Sequence, residues 1–301
     1  MEYLFLGILW IAVVYCDFHM VKSSSRQDDP FKIPFNGIGA LPWVMTGASL
    51  APMQYRVLVP WLTYLIGKVF GPGRTKYAYF EIYIRVRWAA IAAALCSAHW
   101  YFGMVTPDAL FATTILAVFF CVAALYDYTD GHLEVAFFAL AFGLLTVGVT
   151  SLGGVLVMMA LALVASLNRE TSVFIPIVAA LFGNVFLFAA ATGGFVAGYI
   201  IPRAMYGNKR RYCKPYINNF KFWKMSVVEE DTPFPYNQYT HFGLIAVTWV
   251  VLAVMSWPLD RVEIGMGLMF VALLVPTMWR EIRVFGPTLL ALIPMGMNVC
   301  R

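Results

Sequence analysis

Long runs of this chain are almost free of charge, and each is about as long as a bilayer is thick. The charges arrive in bursts between them. The runs cover Tyr3–His19, Phe80–Val105, Ala109–Tyr126, Leu133–Ser151, Val155–Leu167, Ser172–Ile201, Phe242–Trp257 and Val262–Met278, with a last short stretch ending at Cys300. The hydrocarbon core of a bilayer is about 30 Å thick, which about 20 apolar helical residues span. Only 12% of the 301 residues are charged and 61% are hydrophobic, and the mean hydropathy is +0.75. A soluble domain carries roughly 25% charge. Backbone groups in lipid must bond to one another, so only helices or a closed barrel can span it. The alternating ten-residue strands of a barrel are absent from the sequence. The expected fold is therefore all-α: a polytopic integral membrane helical bundle of about nine transmembrane helices. An amphipathic interfacial helix is expected in the first long loop. Residues 1–301 form a single transmembrane domain, with 22–76 as a first extracytoplasmic loop, the interfacial helix at 53–70 and a basic loop at 202–241.

The N-terminal stretch "MEYLFLGILWIAVVYC" lacks a basic leader and a small-residue cleavage site, so it reads as a retained first span. The Ser172–Ile201 run holds Pro176, Asn184 and Gly193–Gly194. It fits one long tilted helix or two pieces, and two pieces would flip the sidedness of everything after it. As one helix, it places the two basic loops on opposite faces. Arg280 and Arg283 then tip the orientation toward a cytoplasmic N-terminus.

The formal charge of +5 sits beside the apolar runs, where lipid phosphates account for it. Membrane lipids are thus expected partners and nucleic acid is not. The loop Lys209–Lys224, interleaved with Tyr212, Tyr216, Phe220, Phe222 and Trp223, reads as lying on an anionic leaflet. The five cysteines are scattered, with neither a CxxC pair nor a Cys/His spacing that suggests a metal. The four histidines lie near run ends without facing pairs, which sets haem aside. HExxH, GxSxG and P-loop motifs are missing. Most charges sit at run ends rather than mid-span, which ranks a transporter last.

One segment, "SLAPMQYRVLVPWLTYLIGKVFG" (Ser49 to Gly71), is apolar but carries Arg56, Pro60 and Lys68. Leu58, Leu62, Leu65, Ile66 and Val69 recur at helical spacing on one side, as in a helix lying in the interface plane. Arg56 then sits at headgroup level. On the same expected face lie Gln54 and Tyr55, the pair Asp28 and Asp29, the turn with Asp127, Asp130, His132 and Glu134, and the turn Asn168–Glu170. The opposite turns, "TPD" and "LGG", are nearly bare. Such clustering suggests a polar cleft; equally, short wet loops carry polar residues. Asp28 or Asp29 can serve as a general base, or the pair can be a solvated feature before Pro30. In "NRETSVFIP", Glu170 and Thr171 can cap a helix, or Arg169 can bind a phosphate.

Three stretches in order, "QYRVLVPWLTYLIGKVFG", "LNRETSVFIPIVAAL" and "WREIRVFGPTLLALIP", resemble a large group of bacterial polytopic proteins similar to the type C glycosyltransferases (GT-C). The resemblance covers most of the chain. It implies a bacterial inner (cytoplasmic) membrane protein that moves a sugar from a polyprenyl-phosphate donor to an acceptor at the extracytoplasmic face. No cofactor beyond that lipid-linked donor is implied. Asp28 or Asp29 would be the catalytic base, Arg56 and Arg169 would face the donor phosphate, Glu170 would orient Arg169, and Gln54 and Tyr55 would lie beside them. The sequence departs from the pattern in placing its acidic pair after a Ser-rich stretch, so that Asp17 lies nearer the end of the first helix. It also lacks a soluble C-terminal acceptor domain. The alternative is a non-catalytic scaffold or accessory subunit, with other membrane subunits as partners. The 16% aromatic content and 15 Met fit large helix–helix contacts.

Overall fold

The computed structural model describes residues 2–24, 56–70, 76–123, 129–207, 238–273 and 286–299. Its regular elements are all helical, with no strand among the described residues. They are α1 (Glu2–Ser24), α2 (Leu58–Phe70), α3 (Lys76–Val105), α4 (Ala109–Ala123), α5 (Thr129–Val147) and α6 (Leu152–Asn168). A 3-10 turn (Glu170–Val173) leads into α7 (Phe174–Leu181), followed by α8 (Val185–Tyr206), α9 (Gln238–Met255), α10 (Arg261–Leu273) and α11 (Leu289–Val299). Four helical stretches are long and apolar enough to cross a membrane: Glu2–His19, Glu81–Val105, Thr129–Val147 and Val185–Tyr206. The other apolar helices are shorter. Large apolar side chains such as Leu4, Ile11, Val118, Val250 and Val254 stay exposed on the outside of the bundle. A surface of that kind suits lipid rather than water.

The core is built from small and aromatic residues. Ala94, Ala98, Ala139 and Ala162 let helices approach, while Phe102, Phe138 and Phe142 fill the space between them. α6 and α8 approach each other closely. A Cβ added at Gly194 would strike the Met159 carbonyl, and one at Gly198 would strike Leu163 and Ser166. These two glycines therefore work as in other membrane helix pairs, where small residues bring backbones together. In the same way Gly143 of α5 lies against the Trp100 ring of α3.

The apolar run Ser172–Ile201 is two pieces. Gly183 adopts a positive φ of 71°, which ends the first piece. Asn184 then caps the second, its side chain accepting from the backbone N–H groups of Phe186 and Leu187 at 3.2 Å. The chain so reverses, and α8 returns to the end from which α7 started. Tyr206 there meets Trp61 of α2, their Oη and Nε1 3.4 Å apart. Of the two alternatives the sequence left open, the structure has the two pieces. Gly207, which follows Tyr206, lies at the end that carries Arg56. Gly193 and Gly194, the other candidate break, lie inside α8.

The helix of the first loop starts at Leu58, with Pro60 in its first turn, where a missing N–H costs nothing. Val59, Pro60 and Thr63 are buried against the bundle. Leu65, Val69 and Phe70 remain exposed, so the helix carries apolar side chains on two sides. A second boundary also moved. Asp130, His132 and Glu134, expected in a turn, lie in the first two turns of α5 and are buried.

Candidate functional site

Charged groups collect at one end of the bundle and are joined across it. Asp17, in the last third of α1, is 1% exposed and receives a forked contact from Arg87 of α3. Arg87 Nε lies 2.8 and 2.9 Å from the two carboxylate oxygens, and Nη2 completes the pair. Tyr83, one turn from Arg87 on α3, is within electrostatic reach of both Arg87 and Asp130. Asp130 and Glu134 stand one turn apart on the same face of α5, the i, i+4 spacing of a helix.

Both carboxylates are aimed at Arg169, which is 2% exposed. Its Nε donates to Asp130 Oδ2 at 2.7 Å and its Nη1 to Glu134 Oε2 at 2.6 Å. Local backbone explains the aim. Arg169 breaks α6 with an extended conformation, φ −154° and ψ 146°, and so turns its side chain inward. Around it, Asn168 Nδ2 donates to the Asp130 carbonyl at 2.7 Å and Ser172 Oγ to the Arg169 carbonyl at 2.7 Å. The Thr171 hydroxyl donates to the other oxygen of Glu134. Burial alone would push the guanidinium toward losing its proton. Asp130 and Glu134 outweigh that and hold it above the usual arginine range.

Outside this inner triad lies a looser one. Arg56 Nη1 approaches Asp130 Oδ2 at 3.4 Å, and its Nε lies 3.8 Å from Glu170 Oε2. Arg203, near the end of α8, lies 3.9 Å from Glu170 Oε1. The side chains of Arg56, Glu170 and Arg203 are 23%, 28% and 16% exposed. Arg203 is itself positioned by Tyr199, lying 3.4 Å over its ring and donating to its carbonyl at 2.9 Å. Arg56 is positioned by the fully buried Val57 beside it, which with Leu58 and Trp61 packs on Leu163, Leu167 and Tyr206. Arg56 Nε and Glu170 Oε1 are buried atoms without a hydrogen-bond partner.

Of the residues singled out in the sequence, Arg56, Asp130, Glu134, Asn168, Arg169 and Glu170 come together in this cluster. Asp28, Asp29, Gln54, Tyr55 and Asp127 lie outside the described residues. The resemblance gives Arg169 a donor phosphate and Glu170 the task of orienting it. In the structure Asp130 and Glu134 occupy the Arg169 guanidinium, and Glu170 faces Arg56 and Arg203. Asp17, Arg87 and Arg203 join the site without having been chosen from the sequence. A signal existed for two of them: Asp17 in "VVYCDFHM" and Arg87 in "YIRVRWAA" are charges within apolar runs, and such charges demand partners. For Arg203 there was none, because its place depends on the reversal at Gly183. Among the described residues, no group of three or more His, Cys, Asp or Glu is placed to hold a metal ion. No protein-family model, curated protein or solved structure matches this chain.

Proposed function

We propose that this chain is a membrane transferase that moves a sugar from a polyprenyl-phosphate donor to an acceptor, in the manner of the GT-C-like proteins its sequence resembles. The observation that carries this reading is the half-buried Arg56–Glu170–Arg203 cluster, placed beside a helix whose outer side is apolar. Guanidinium groups match phosphate oxygens in geometry and charge. An isoprenoid tail would lie along Leu65, Val69 and Phe70 of α2, with its phosphate at Arg56. Asp28 or Asp29, in the segment that leads to Arg56, would take the acceptor proton.

The membrane is the bacterial inner membrane on this reading, crossed about ten times: the nine apolar runs, one of them divided at Gly183. The face differs from the one the sequence suggests. Arg56, Arg85, Arg87, Arg169 and Arg203 belong to the charged end, whereas Arg261 starts α10 at the other, donating to the Phe182 carbonyl at 3.1 Å. The basic stretch Lys209–Lys224 follows directly from Gly207 at that charged end. Excess Lys and Arg mark the cytoplasmic side, so the cluster would draw on the cytoplasmic leaflet.

The test is sugar transfer in proteoliposomes from a polyprenyl-phosphoryl sugar. Loss of the base, by Asp28→Asn or Asp29→Asn, should slow transfer by about 100-fold or more. Arg56→Ala should slow it by about 10-fold or more, since a charged hydrogen bond is lost. Wild-type protein without transfer from any such donor would sink the reading. Cysteines placed at 208 and 148 should react with an impermeant thiol reagent from the cytoplasmic and outer side respectively; the reverse result would invert the face.

The scaffold reading has its own support. The inner triad occupies the deepest arginine and links α5 to the end of α6, which is what a purely structural ion network does. It predicts that transfer is absent while the cluster still governs stability or subunit assembly.

A further inference from the structure

We infer that Cys16 and Cys121 are a redox pair that closes to a disulfide between α1 and α4, giving up its electrons to a lipid-soluble quinone. This inference stands apart from the cluster around Arg56 and from sugar transfer.

Placement carries it. α1 packs against α4, and there the two thiols face each other, near enough for a side-chain hydrogen bond. The helical phase of each element agrees. Cys16 stands three positions after Val13 and one before Asp17, the buried positions in this half of α1. Cys121 stands four positions after Ala117 and one after Phe120, both buried on α4. The levels match as well. Cys16 adjoins the Asp17–Arg87 pair of the charged end, and Cys121 lies in the last turn of α4, which starts at the bare end. Both side chains are half-buried, whereas Cys96 on α3 is exposed.

The helix that the bond would hold is loosely held without it. Of the four long apolar helices α1 is the least buried, 17% against 33%, 44% and 67%. An element with few buried contacts opens at low cost. Polar ties bind it to α3: Trp10 Nε1 donates to the Trp88 carbonyl at 2.9 Å, and Asp17 accepts from Arg87. A disulfide adds a covalent tie to α4. It also closes a long stretch of chain, the case in which such a bond stabilises most. Tyr15 and Phe18 on α1 and Val118 on α4 are exposed apolar neighbours of the pair, so an oxidant that dissolves in lipid can reach it. In the reaction two S–H bonds break and one S–S bond forms. The two protons and two electrons pass to the quinone, which leaves as hydroquinone. The thiolate is the attacking form, so oxidation speeds up as pH rises.

The experiment uses the full chain purified in a non-ionic maltoside detergent, reduced with dithiothreitol and then freed of it. Decylubiquinone is added, the remaining thiols are alkylated in denaturant, and the peptides are mapped by mass spectrometry. The expected result is a Cys16 peptide linked to a Cys121 peptide, with one hydroquinone formed per link and reversal by dithiothreitol. Cys16→Ser and Cys121→Ser should each abolish the link, and Cys96→Ser should leave it. Oxidised wild type should melt about 5 °C or more above reduced wild type, and Cys121→Ser should show no such shift. Wild type with both cysteines still alkylated after quinone overturns the pair. So does a quinone adduct on either thiol, or a link from Cys16 to another cysteine. A link that forms as fast without quinone overturns the oxidant, and a link without a rise in melting temperature overturns its role in holding α1.

Discussion

The two ends of this bundle use polar residues in opposite ways. At the bare end Arg261 reaches the Phe182 carbonyl, but the capping side chains serve their own helices, three positions away. Asp108 accepts from the Phe111 N–H, Ser151 from Gly154, Asn184 from Leu187, and Asp260 and Glu263 cap each other reciprocally. At the charged end they reach partners 70, 39, 35 and 74 positions away, in Arg87–Asp17, Arg169–Asp130, Arg169–Glu134 and Arg56–Asp130. A local cap satisfies one helix end and is worth about 1 kcal/mol wherever the rest of the chain goes. A buried ion network is different. Its members lose hydration together, and each is tolerable only while the others stay in place.

That contrast orders the expected effects of mutation. Arg169→Ala would leave Asp130 and Glu134 buried with their main partner gone. A loss of about 3–5 kcal/mol is expected, seen as a collapse of the thermal transition in detergent. Asp17→Ala should cost a similar amount, and the double change Asp17→Leu with Arg87→Met should recover most of it, because a buried pair replaced by apolar groups is often neutral. A double variant as unstable as the single would show that the pair adds stability rather than avoiding a penalty. Next comes Gly198→Leu, which drives a side chain into Leu163 and Ser166. Overpacking of this kind costs about 1–3 kcal/mol, and the same melting assay reads it. Smaller again are Asp108→Ala and Ser151→Ala, each about 1 kcal/mol. They serve different helices and should add when combined, within about 0.5 kcal/mol. Strong coupling between them would break the picture of an end made of independent caps. Smallest for stability is Glu170→Gln. Its partly exposed, long-range ion pairs contribute at most about 1 kcal/mol. A large stability loss there would move Glu170 into the inner network.

Much of the fold was legible because lipid imposes a simple rule on sequence. Apolar runs became helices, four of them among the described residues long and apolar enough to cross a membrane, and Pro60 fell in a first turn as its chemistry requires. The ambiguous run was harder. It offered Pro176, Asn184 and Gly193–Gly194 as breaks, and each had a physical argument. Only the neighbourhood separated them: Gly194 is needed where α8 touches the α6 backbone, while Gly183 and Asn184 form a stop and a cap back to back. The site was half legible. Arg56, Asp130, Glu134, Arg169 and Glu170 all stood out as polar groups on one expected face, but which of them pair did not, since a carboxylate 35 positions away leaves no periodic trace.

By itself the sequence determined that this is a helical membrane chain, roughly where its long apolar helices lie, and that its polar residues gather between apolar runs. These are local properties, set by hydration cost per residue and by backbone capping within a turn or two. Tertiary structure alone decided that α8 returns to the end where Arg56 lies, that Asp17 closes on Arg87, and that Glu170 faces Arg56 and Arg203 instead of Arg169. Each of these depends on distances between helices. Such distances follow from the packing of side chains that are far apart in the chain, and no single segment contains that information.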